Sequence, residues 1–301
     1  MRLKIVAALL LVFLLIPLSG CSATPRVTAL ADVTEPNDEG YYQCLYGDVV
    51  REFTLYVPDG AGENSPLIFM LHGYGDSSNK FAASTGMNVQ ADKYGFVVVY
   101  PQGIQSPLDK TGASGWNNGL DKNGNDDAGF LISLAQYLQK TYGYSKKYTF
   151  VSGFSNGAFM AYTLAASAPS TFSAVASVAG TMNASAWEVK TNVPLSVLQI
   201  NGTRDEMVPN TGTNLGGFYG DAPGAEGLIQ YWVDADKLEI CETKKLSDRS
   251  QLSCYSSEKS SNLVWRVEIE GGTHSWPSES FAGINTGEII GDFFSQCAKN
   301  K

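Results

Sequence analysis

The sequence predicts an α/β fold with a mostly parallel central sheet and helices on both faces. Two observations carry this. Short, almost unbroken apolar runs such as PLIFML (66–71) and FVVVY (96–100) fit strands buried on both faces. They alternate along the chain with helix-length patterns bounded by caps and stops, the rhythm of strand–helix–strand units. No linker or repeat interrupts residues 46–301, so a single domain is expected there.

Taken in order, the chain opens with Arg2 and Lys4 before an apolar run from Ile5 to Leu18. Residues 1–20 read as a secretory signal, outside the fold. The run ends Leu18-Ser19-Gly20-Cys21, which resembles a bacterial lipobox. That resemblance implies a lipid on Cys21 and attachment at a membrane surface without crossing it. Residues 21–45 are polar, carry two prolines and show no periodicity, so a flexible tether is expected. FTLYV (53–57), PLIFML and FVVVY follow as strands. DDAGFLISLAQYLQKTYG (126–143) reads as a helix: Asp126 or Asp127 caps it, Phe130, Leu131, Leu134, Tyr137 and Leu138 form a stripe, and Gly143 stops it. YTFVS (148–152) is a strand and 156–168 an Ala-rich helix that ends before Pro169. SAVASVAG (173–180), LSVLQING (195–202) and LVWRVEI (263–269) are further strands, and a last helix spans 286–298.

The formal charge is −9, and removal of residues 1–20 leaves 19 basic against 30 acidic residues, or −11. This argues against nucleic acid as a partner, because phosphate binding needs a positive footprint. Cys44, Cys241, Cys254 and Cys297 remain besides Cys21, an even number in an exported protein. Cys241 and Cys254 flank a short polar stretch and are expected to form a local disulfide, with Cys44 and Cys297 tying the chain ends. No Cys-x-x-Cys pair points to zinc. DKNGNDD (121–127) is rich in oxygen ligands, but its glycine is misplaced for a calcium loop, so a turn and helix cap are expected. No metal or cofactor is expected, and the chain is expected to be a monomer.

GFSNG (153–157) carries the chemistry. A G-x-S-x-G match arises by chance in roughly one chain in ten of this length, so its context decides. Here it follows a strand directly and opens a helix directly, as a strained turn presenting Ser155 requires. A serine hydroxyl needs a base, and the chain has two histidines. His72, in LHGYGD (71–76), precedes the serine and is expected to shape its loop. His274, in GGTHSWP (271–277), follows the last strand and fits the order serine, acid, histidine. Asp205 follows LSVLQING and is the candidate acid, with Glu206 the alternative. The backbone N–H groups of Asn156 and Tyr74 are candidates for an oxyanion hole.

Together LHGYGD, PQG (101–103), GWNNG (115–119), NDDAGFL (125–131), VSGFSNGAFMAY (151–162), NGTRDEMVP (201–209) and GGTHSWP resemble the α/β-hydrolases of the polyhydroxybutyrate depolymerase-like, feruloyl esterase and acetyl xylan esterase family. The resemblance runs from about residue 50 to 298 and implies ester hydrolysis through an acyl-enzyme on Ser155, Asp205 and His274. Acylated oligo- or polysaccharide is the implied substrate, with a hydroxybutyrate polyester as the alternative. Tyr74 departs from the family's usual small or cysteine-containing loop. Trp116, Trp276, Phe218 and Tyr219 fall in loops near the expected mouth and are candidates for stacking on a sugar or ferulate ring. A solute-binding lipoprotein, or a hydrolase fold that only binds glycan, is the competing expectation. Neither needs an ordered serine, acid and histidine.

Overall fold

The computed structural model describes residues 27–105, 110–119, 123–189, 193–211, 213–214 and 222–299. An eleven-stranded sheet forms its centre. Its strands are β1 (Leu30–Ala31), β2 (Tyr42–Tyr46), β3 (Val49–Tyr56), β4 (Leu67–Leu71), β5 (Val97–Pro101), β6 (Thr149–Phe154), β7 (Ala174–Val178), β8 (Ser196–Gly202), β9 (Ile240–Lys245), β10 (Ser250–Ser257) and β11 (Ser260–Ile269). The spatial order is β1-β2-β3-β5-β4-β6-β7-β8-β11-β10-β9. β5, β4, β6, β7, β8 and β11 run parallel, and both margins are antiparallel.

Every residue of β4, β5, β7 and β8 is buried, so these strands are mostly apolar on both faces rather than alternating, and the polar Ser177, Ser196 and Gln199 in β7 and β8 are hydrogen-bonded. The helices are α1 (Ser78–Thr85), α2 (Met87–Tyr94), α3 (Asp127–Tyr142), α4 (Asn156–Ser167), α5 (Ala184–Val189), α6 (Ala225–Ala235), α7 (Glu279–Ala282) and α8 (Thr286–Lys299). Phe130, Leu134, Tyr162 and Trp232 of α3, α4 and α6 bury one sheet face. Phe81, Met87, Ile290 and Phe293 of α1, α2 and α8 bury the other. Asp126 caps α3 through its side chain, and Gly143 closes the helix at φ 72°.

Two expectations are corrected here. The tether expected over residues 21–45 is not a tether throughout. β1 and most of β2 lie within it, Cys44 is buried, and the Ser133 hydroxyl donates to the Thr28 carbonyl at 2.5 Å. The signal 1–20 and Cys21 lie outside the described residues. The expected disulfides are absent, and register explains the first. On the β9–β10 ribbon Cys241 faces Tyr255 and Cys254 faces Glu242. Neighbouring strand positions point to opposite faces, so the two Cβ vectors diverge and no bridge can close. Cys44 and Cys297 sit in the two core layers on opposite sides of the sheet.

Candidate active site

Four loops meet at the carboxyl ends of the parallel strands, following β4, β6, β8 and β11. This is the edge where open α/β sheets place their sites. The turn after β6 is forced. Ser155 has φ 50° and ψ −118°, left-handed backbone that a side chain rarely adopts. Its N–H is held by the Val178 carbonyl at 3.0 Å. The flanking glycines make the turn sterically feasible. A Cβ on Gly157 would stand 2.6 Å from the His72 carbonyl oxygen, and one on Gly153 2.8 Å from the Ala158 nitrogen. Helix α4 starts at once, so the Asn156 and Gly157 N–H groups in its first turn have no intrahelical acceptor.

The structure brings the side chains of Ser155, His274 and Asp205 together. The Ser155 hydroxyl lies 2.8 Å from His274 Nε2, and His274 Nδ1 lies 3.0 and 3.1 Å from the two Asp205 carboxylate oxygens. Because the carboxylate only accepts, Nδ1 carries the proton. Nε2 therefore presents its lone pair, and the Ser155 hydroxyl donates to it. The Asp205 side chain is fully buried, and its Oδ1 accepts the Met207 and Val208 N–H groups at 2.9 and 2.8 Å. Glu206 points to solvent, so Asp205 is the acid that reaches the histidine. Phe154 lies beside the imidazole, with ring centroids 5.6 Å apart.

The acid and histidine loops are tied together. Arg204 donates its N–H to the Gly272 carbonyl at 2.8 Å, and Thr203 donates to the Ile269 carbonyl at 3.0 Å. The Gly271 N–H returns to Thr203 Oγ1 at 2.8 Å. Any Cβ on Gly202 or Gly272 would push these loops apart.

His72 is fully buried. Its Nε2 accepts the Gly103 N–H at 2.9 Å, so Nδ1 is the protonated nitrogen and donates to the Gly73 carbonyl at 2.8 Å. Burial pushes its pKa below the usual histidine value. It organises the loop after β4 and does not reach the triad, as expected.

The aromatic residues divide. Trp116 is a correction: it is 5% exposed, and its indole N–H donates to the His72 carbonyl at 2.9 Å. It supports the loop and offers no face to a substrate. Trp276 is half-buried, edge-on to Phe81 and Phe154 at 5.4 and 6.3 Å. Phe218 and Tyr219 lie outside the described residues. Tyr74 is 54% exposed, with its hydroxyl 2.6 Å from Thr111 Oγ1. Asp126 and Asp127 are both engaged. Asp126 caps α3 and accepts the Tyr46 hydroxyl at 2.6 Å, while Asp127 pairs with the buried Arg51 at 2.6 Å.

Sequence reasoning missed the Asn156 side chain. Its Oδ1 accepts the Trp116 N–H at 2.7 Å and its Nδ2 donates to the Trp116 carbonyl at 3.0 Å. The signal available was the pair of asparagines and two glycines in GWNNG, a loop built for backbone contacts.

An acetyl xylan esterase from Aspergillus awamori superposes with a TM-score of 0.59 at 15% identity, covering 90% of this chain and 100% of that one. A protein of Nocardia uniformis subsp. tsuyamanensis named as an esterase is 27% identical over 256 residues, 77% of this chain and 72% of its own. A bifunctional acetylxylan esterase/xylanase of Neocallimastix patriciarum is 30% identical over 158 residues, 52% of this chain and 22% of its own. The chain thus spans less than a quarter of that second relative. The family model described as Esterase PHB depolymerase matches residues 51–208. The fold is that of the α/β-hydrolases, and the chain belongs to the Esterase PHB depolymerase family and is an esterase.

Proposed function

We propose that the protein is a serine esterase that removes acetyl or feruloyl groups from plant polysaccharide through an acyl-enzyme. The observation that supports this reading is the unbroken chain from the Ser155 hydroxyl through His274 to Asp205, at 2.8 and 3.0 Å. Ser155 Oγ attacks the ester carbonyl while His274 Nε2 takes its proton. Asp205 holds the Nδ1–H tautomer and stabilises the imidazolium. The Asn156 N–H, with the Tyr74 N–H as the second candidate donor, faces the developing oxyanion. His274 then protonates the leaving sugar oxygen, and water repeats the sequence on the acyl-enzyme.

Relatives named as acetylxylan and feruloyl esterases favour carbohydrate esters. The second reading, hydrolysis of a hydroxyalkanoate polyester, is favoured by the description of the matched family model. We further propose secretion with a lipid on Cys21 and a monomeric catalytic domain, the first resting on the LSGC sequence.

The test uses protein from residue 22 onward and compares release of acetate, ferulate and 3-hydroxybutyrate from acetylated xylan, methyl ferulate and hydroxybutyrate oligomers. Acetate or ferulate release supports the carbohydrate reading, and hydroxybutyrate alone supports the second. Ser155→Ala should lose activity on the order of 10⁴-fold or more. Unchanged turnover in that variant refutes the triad.

A further inference from the structure

We infer that the side chain of Asn156 is a positioning residue that fixes the distance between the two halves of the oxyanion hole. The inference rests on the proposal that Ser155 is the nucleophile, and goes beyond it. The two candidate donors lie on separate pieces of chain: the Asn156 N–H is in the first turn of α4, beside Ser155, and the Tyr74 N–H belongs to the loop after β4. Covalent continuity does not set their separation, since some eighty residues intervene. Something else must.

Residues 114–117 do this. On one side they hold the loop after β4. Gly75 donates its N–H to the Ser114 carbonyl at 2.7 Å, the Ser114 hydroxyl donates to the Asp76 carbonyl at 2.6 Å, and the Trp116 indole donates to the His72 carbonyl at 2.9 Å. Gly115 leaves room for the Tyr74 ring, since a Cβ there would stand 3.0 Å from its Cδ2 and 3.1 Å from Asn156 Oδ1. On the other side, the Asn156 amide makes a two-point bond to the Trp116 backbone at 2.7 and 3.0 Å. A third tie anchors the segment to the core: the Asn117 N–H donates to Asp127 Oδ2 at 2.7 Å. Asn156 is 5% exposed, so its amide meets little competition from water.

The residue type is demanded by this geometry. The amide supplies one acceptor and two donors on adjacent atoms, matching a backbone N–H and C=O. Aspartate keeps the shape but loses the donor, and turns a carboxylate oxygen towards the Trp116 carbonyl. Alanine loses both bonds.

Asn156→Ala and Asn156→Asp should lower kcat by roughly 10- to 100-fold on p-nitrophenyl acetate, the scale of a displaced or lost oxyanion donor, with KM changed less than about threefold. The inhibition constant of a phenylboronic acid, which forms a tetrahedral adduct on an active serine, should rise by about the same factor as kcat/KM falls. A residue that only supports the fold would lower the melting temperature and spare both readouts. Unchanged kcat in Asn156→Asp, or equal losses in KM and kcat/KM, overturns the inference. Ser155→Ala in parallel separates the two claims: if it stays active, the nucleophile assignment has failed; if it is inactive while both Asn156 variants match the parent, only this inference has.

Discussion

At the scale of single residues, the two histidines show how environment assigns roles. His274 has one nitrogen on a carboxylate, which fixes the proton on Nδ1, and the other on a hydroxyl, which leaves the Nε2 lone pair facing Ser155. His72 has both nitrogens occupied by main-chain partners and no room for a charge. Desolvation is the largest effect on His72 and lowers its pKa, outweighing the Gly73 carbonyl and the more distant Asp76 carboxylate, which act the other way. A depressed histidine means that, below the ordinary value of about 6.5, the unfolded chain binds a proton that the folded chain refuses. The contribution to stability is therefore complete above that value and is lost as pH falls from it towards the depressed one. Urea midpoints measured from pH 7.5 down to 5 should decline across this window. His72→Gln should be less stable at neutral pH yet show a flatter decline; an identical slope would remove His72 as the cause.

At the scale of elements, the catalytic turn depends on contacts between strands and helices that never touch a substrate. Gly157→Ala places a methyl against the carbonyls of Leu71 and His72, which belong to β4 and its loop and cannot retreat without parting the sheet. That variant should be recovered poorly or melt far below the parent. Arg51 of β3 and Asp127 of α3 form a second joint, with both side chains 1% exposed and Arg51 also packed 4.0 Å over the Phe130 ring. Removing one partner strands the other as a buried charge, so Asp127→Ala or Arg51→Ala should each cost about 3–5 kcal/mol in chemical denaturation. Replacing both by apolar residues should not restore the parent, because the Asn117 N–H then loses its acceptor. A full recovery in the double variant would show that the Asn117 bond carries no weight. That Ser155, Asp205 and His274 would meet was legible in sequence because each sits just past an apolar strand, where Gly-rich loops mark the turn. The hairpin of β9 and β10 was not: Ile240–Lys245 is exposed along its whole length and carries no alternation to read. Nor was the fate of Trp116, because its sequence neighbours say nothing of the His72 carbonyl that claims its indole.

At the scale of the whole molecule, the cysteines show what spacing along a chain leaves undetermined. A sequence separation cannot say which face of a strand a thiol takes or which core layer receives it. Cys241 and Cys254 are near in sequence and diverge across a ribbon, whereas Cys44 and Cys297 lie on opposite sides of an eleven-stranded sheet. Among the described residues the fold is thus held by packing in two apolar layers and not by disulfides. Reductant should leave the melting temperature of the domain unchanged, whereas a staple closing a loop of this length would contribute several kcal/mol. Thiol accessibility gives a second reading. Cys241 is exposed and should react with iodoacetamide in the native protein. Cys44 is buried, and desolvation pushes its thiol up to about 11, so little thiolate forms at neutral pH. Cys254 is half-buried and likewise pushed up to about 11. Peptide mapping after brief native alkylation should find the label on Cys241 well before Cys254, and on Cys44 only after denaturation. A melting temperature that drops with reductant, together with a Cys241 that resists native alkylation, would mean that a bond closes there in solution and that the β9–β10 register differs from the one described.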